Sequence, residues 1–167
     1  MRAQPRHSFD ATLLEEPLSA LPLRRPIVFA ARNSVTEAMR AMQDEHFGCV
    51  VMTEDGTTGS RLAGIFTERD VLLRIVGRGR NPAMLPLGEV MTRAPDTLRE
   101  SSPIASALHL MSVEGFQHLP VVDRDGCPAY VVSVRDIVAF LVQLFPREVL
   151  NRPPKDGPES SRTREGA

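Results

Sequence analysis

The chain has 167 residues, 42% of them hydrophobic and 25% charged, with a formal net charge of −1 at pH 7. That length allows one ordinary domain or two small ones sharing a core, and the composition is that of a soluble globular protein. A net charge so near zero provides no overall field for nucleic acid, and no apolar run is long enough for membrane insertion.

Nineteen of the twenty basic residues are Arg, with Lys155 the exception, which points to base-composition bias before phosphate recognition. The N-terminal MRAQPRHSFD lacks a signal peptide's apolar core, so a cytoplasmic location is expected. Cys49 and Cys127 lack C-x-x-C spacing, and His7, His46, His109 and His118 form no ligand cluster. No metal and no required cofactor are expected.

In chain order, residues 1–16 read as a mixed-pattern extension, followed by a lead-in strand within PLSALPLRRPIV from Pro17. Ser34-Val35-Thr36-Glu37 has capping-box form and opens a helix whose apolar face is Val35, Ala38, Met39 and Met42. Two strands follow, CVVM at 49–52 and LAGIF at 62–66, and then a second helix from Val71. Residues 78–88 read as a linker. PLGEVMTRAPDT from Pro86 then repeats the lead-in at an offset of 69 residues. At that offset Ile104, Ala107, Leu108 and Met111 match the first helix, with Ser102 expected as N-cap and Pro103 at the first helical position. Strands at 118–122 and 129–132 and a helix from Ile137 complete the second copy. A shorter turn there lowers the offset to 66, which places Thr67-Glu68-Arg69-Asp70 over Ser133-Val134-Arg135-Asp136. The tail, 147–167, is expected to be disordered.

The expected fold is α/β (α+β): two units, 17–77 and 89–146, each lead-in strand, helix, strand, strand, helix. One unit has too little apolar surface to stand alone, so the two are expected to pack as an intramolecular pseudo-twofold pair.

The phrases GIFTERDVL, EVMTRAPDTL, FQHLPVVDRDG and VVSVRDIV, with [ST]-x-R-D in register in both copies, resemble a tandem pair of cystathionine-beta-synthase (CBS) domains, a Bateman module. The resemblance covers roughly residues 17–146. It implies clefts between the domains for AMP, ADP, ATP, S-adenosylmethionine or NAD, a disc-like homodimer, and an output to a regulated partner. It assigns ribose contacts to Asp70 and Asp136 and ribose or phosphate contacts to Thr67 and Ser133. His118 stands where relatives often carry a basic residue for phosphates, and such a role would weaken as pH rises past its pKa.

The chemistry of these residues agrees with that implication. A carboxylate accepts two hydroxyl donors, which suits vicinal ribose hydroxyls. The same T-x-x-D and S-x-x-D spacing is equally that of helix capping without any ligand. Gly64, matched by Tyr130 in the second copy, would let a ligand approach the backbone, whereas Tyr130 would block its cleft or stack on a base, so the Asp70 site is favoured. Val28, Val50 and Ile65 are expected to wall one cleft, and Leu119 and Val131 the other. Three classes remain: a nucleotide-sensing module, a ligand-free interaction module, and an enzyme. The last lacks a nucleophile–base pair or a glycine phosphate loop.

Overall fold

The computed structural model describes residues 11–146; the tail expected at 147–167 and the first ten residues of the N-terminal extension lie outside the described residues. Strand β1, Val28–Ala30, runs parallel to β2, Cys49–Thr53. Between them α1, Val35–Asp44, starts at a complete capping box: Ser34 Oγ accepts from Glu37 N–H, and the Glu37 carboxylate accepts from Ser34 N–H at 2.7 Å. Strand β3, Leu62–Thr67, pairs antiparallel with β2. It leads directly into α2, Glu68–Asp70, which continues as a π-turn, Val71–Ile75, and a 3-10 turn, Val76–Arg78.

The second repeat follows the same plan, except that a single parallel bridge from Leu98 to Val121 stands where the first has β1 beside β2. Strand β4, Thr92–Arg93, precedes α3, Ile104–Glu114; β5, His118–Val122, then pairs antiparallel with β6, Pro128–Ser133, and α4, Val134–Leu144, closes it. Two boundaries differ from expectation. The second helices begin at Glu68 and Val134, three residues before Val71 and Ile137, because Thr67 and Ser133 cap them. For α3 the N-cap is Pro103, without a side-chain bond, and Ser102 Oγ instead accepts from Arg99 N–H at 3.0 Å.

The lead-ins are exchanged between the repeats. β4, which belongs in sequence to the second repeat, pairs with β3 of the first, and Arg24 bridges Val131 on β6. Leu18 N–H donates to Ser102 O at 2.9 Å, and Leu87 N–H donates to Asn33 O at 2.8 Å. Ile104 N–H donates to Glu16 O at 2.9 Å, and Val35 N–H donates to Leu85 O at 2.8 Å. Each pair is related by the 69-residue offset, so the backbone obeys the pseudo-twofold that the sequence repeat implies.

Burial follows the exchange. Leu85, Leu87, Val90 and Met91 pack with Val35, Ala38, Val50 and Phe66 in the first core. Leu18 and Leu21 pack with Ile104, Ala107, Leu119 and Ile137 in the second. Residues 78–88, expected as linker, thus contribute core side chains. A third cluster, Phe47, Cys49, Val51, Ile65 and Val131, lies between the two sheets. Side chains alternate across a strand: Cys49 and Val51 face this interface while Val50 and Met52 face α1.

Candidate functional site

The end of each β-β-α segment faces the opposite repeat. At Thr67 the backbone is extended (φ −125°), its Oγ1 accepts from Asp70 N–H at 3.3 Å, and Asp70 Oδ2 accepts from both Thr67 N–H and Thr67 Oγ1 at 2.9 Å. Asp70 Oδ1 is held by Arg74 Nε at 3.1 Å. Arg74 also donates to Val90 O and, at 3.1 Å, to Thr92 Oγ1, which fastens the π-turn to β4.

Beside this acid lies a cavity of about 370 Å³. The first repeat lends Ile65, Thr67, Asp70 and Gly48, and the second lends Phe116, His118, Leu119 and Pro120. The lip is Thr92, Ala94 and Pro95, where Ala94 takes a left-handed backbone (φ 44°). Five sequence-predicted residues therefore meet in one cleft: Ile65, Thr67, Asp70, His118 and Leu119. The lip was missed. Its residues lie in the very phrase EVMTRAPDTL that carries the resemblance, and the lead-in exchange that brings them here has no local signature.

His118 is half-buried, with its ring edge-on to Phe47 at 6.0 Å between centroids. Burial holds its pKa below the ordinary histidine value, opposed by the nearby carboxylates of Glu68 and Asp136.

The second acid repeats the local geometry. Asp136 Oδ2 accepts from Ser133 N–H and Ser133 Oγ, both at 2.7 Å, and among the described residues nothing donates to Oδ1. Val131 and the half-buried Val28 belong to the cluster between the two sheets. The wall assignments change accordingly: Ile65 and Leu119 share the Asp70 cavity, and Val50 faces the helix-side core because of strand alternation.

Gly64 is not among the residues lining the cavity and lies against β4. A Cβ there would meet Met91 Sδ at 2.6 Å and Thr92 O at 2.9 Å, so its bareness lets β4 lie close. Tyr130 neither blocks nor stacks in the Asp136 cleft. It packs at the edge of the second core and lines a separate hollow of about 590 Å³ with Arg25, Arg99 and Arg124.

Comparison with known proteins fits this geometry. The chain is 33% identical over 115 residues to the CBS domain-containing protein CBSCBSPB3 of Arabidopsis thaliana, covering 69% of this chain but only 20% of that relative. The CBS domain protein PAE2072 from Pyrobaculum aerophilum, solved in complex with AMP, superposes with a TM-score of 0.67 at 24% identity over 78% of this chain and 98% of its own. The CBS domain pair of protein MJ0100, solved with 5-methylthioadenosine and S-adenosyl-L-methionine, gives 0.61 at 23% identity over 71% of this chain and 94% of its own. The family model for the CBS domain matches twice, at residues 18–77 and 87–143. With both repeats matched and the paired fold in place, the chain belongs to the CBS domain family.

Proposed function

We propose that this CBS pair is a regulatory module that takes an adenine nucleotide or other adenosyl ligand in the Asp70 cleft and signals its occupancy to a partner protein. The observation that carries the reading is the 370 Å³ cavity walled by both repeats, of ordinary ligand-pocket size. A ligand bridging two repeats binds one arrangement of them better than another, which is what a sensor requires. The adenosyl complexes of the Pyrobaculum protein and of MJ0100 support the ligand class.

Ile65, Leu119 and Pro120 offer apolar surface for the base. A carboxylate has about four lone-pair positions, and Asp70 uses three, so a ribose hydroxyl would share Oδ1 with Arg74 or take the place of the Thr67 hydroxyl on Oδ2. The lining holds four carboxylates (Glu68, Asp70, Asp96, Glu114) against two guanidiniums (Arg69, Arg74). That balance favours ligands with few phosphates, so AMP or S-adenosylmethionine should bind more tightly than ATP, with the difference shrinking in salt. The reading contains no catalytic step.

The disc-like homodimer belongs to the same reading. Leu72 and Val76, 64% and 67% exposed, and Val138 on α4, 52% exposed, are large apolar side chains that a second copy would cover. One observation favours the alternative of a ligand-free interaction and dimerisation module: both acids are already engaged in the capping boxes of their own helices.

Calorimetry with AMP, ADP, ATP and S-adenosylmethionine on wild type, Asp70→Ala and Asp136→Ala tests the proposal. Asp70→Ala should weaken binding at least about tenfold, roughly 1.4 kcal/mol, with Asp136→Ala much less affected. Absence of binding by wild type, or unchanged binding in Asp70→Ala, would refute it.

A further inference from the structure

The two clefts share their acids and caps but not their mouths, and the difference begins with register. On the first side Ile65, which faces the inter-sheet interface, stands opposite Thr92, and Gly64 stands opposite Arg93. On the second side Val131, the equivalent of Ile65, stands opposite Arg24, and Val131 N–H donates to Arg24 O at 3.0 Å. Arg24 is the sequence equivalent of Arg93, so the second lead-in is displaced by one residue. Such a slip turns side chains to the opposite face. Arg93 accordingly points away from the first cleft and donates to Gly88 O at 2.8 Å, leaving Thr92 at that cleft's lip. Arg24 takes Thr92's place at the second.

The residue is exposed, and its guanidinium is held against the first repeat. Cζ lies 4.4 Å from the centroid of the Phe47 ring, Nη2 donates to Glu45 O at 2.9 Å and Nη1 to His46 O at 3.3 Å. Phe47 and His46 are the equivalents of Phe116 and Gly115, both of which line the open cavity at Asp70. Phe116 is half-buried at that cavity, whereas Phe47, beneath the guanidinium, is 5% exposed. Cys49, the equivalent of His118, is wholly buried behind it, with its thiol pushed up to about 12 chiefly by burial.

We infer that Arg24 is a built-in lid on the Asp136 cleft, making the module a one-ligand sensor although it carries two complete acid-and-cap motifs. This rests on the adenosyl reading for the kind of ligand and goes beyond it in assigning the asymmetry to one residue. Among the described residues Asp136 keeps one carboxylate oxygen without a donor, so the second cleft retains the group that would receive a ribose.

The test is calorimetric stoichiometry with AMP on the full chain, comparing wild type, Arg24→Thr, Asp70→Ala and the double variant, with thermal melts to establish that each is folded. One equivalent per chain is expected for wild type, two for Arg24→Thr, none for Asp70→Ala and one for the double variant. Two equivalents in wild type, or one in both wild type and a folded Arg24→Thr, overturns the lid. If wild type binds no AMP but Arg24→Thr binds one, the lid stands and the Asp70 assignment falls. If neither binds, both fall.

Discussion

Each acid that the sequence motif singles out serves its own helix before it serves any ligand. Asp70 and Asp136 both receive the N–H of the residue that caps them, and such a cap stabilises by about 1 kcal/mol. The motif was legible because its spacing is local; its occupancy was not, because capping and ribose recognition use the same atoms. His118 shows the same limit. Its position on an inner strand could be read from the apolar run, but its charge state depends on Phe47, Glu68 and Asp136, which come from distant segments. Since burial lowers its folded-state pKa, the unfolded chain binds the proton more tightly. The contribution is fully present above the unfolded value near 6.5 and is lost as pH falls toward the lower folded value. Thermal melts at pH 7.5 and 5.5 should therefore show a smaller drop for His118→Gln than for wild type; equal drops would remove the residue from the pH response.

At the level of elements, periodicity and capping placed α1 and the four main strands, because each is fixed by residues a few positions apart. Strand partners beyond the hairpins were not legible. The contrast between Gly64 and Tyr130 is visible in the sequence and invites a reading in terms of ligand access. Its consequence in the structure is instead the approach of a lead-in: bare Gly64 lets Met91 and Thr92 close on β3, and with Tyr130 in that place the second lead-in sits one residue out of step. Gly64→Ala therefore forces apart the β3–β4 pairing that joins the repeats. Overpacking of this kind costs about 1–3 kcal/mol. Urea denaturation should report that loss, and AMP affinity should fall with it, since Thr92 forms the cavity lip. A variant as stable as wild type would show that β4 adjusts freely.

For the whole molecule, the sequence repeat and the folded unit do not coincide. The first core is completed by Leu85, Leu87, Val90 and Met91, all lying beyond the first repeat, and the second by Leu18 and Leu21, which precede it by some eighty residues. Leu87→Ala should cost about 2–5 kcal/mol, as for other fully buried leucines, and the loss should appear in one cooperative transition for the whole chain. A fragment ending at Arg80 should show little fixed structure by circular dichroism, and a folded fragment would count against this view. The exchange also governs assembly. Each lead-in docks on a repeat other than its own, and the exchange is reciprocal about the pseudo-twofold. Reciprocal, isologous contacts close on themselves, whereas head-to-tail contacts propagate unless they form a ring. The exchange is thus of the self-closing kind: made between two copies instead of within one, the same four hydrogen bonds would give a closed swapped dimer and not a growing chain.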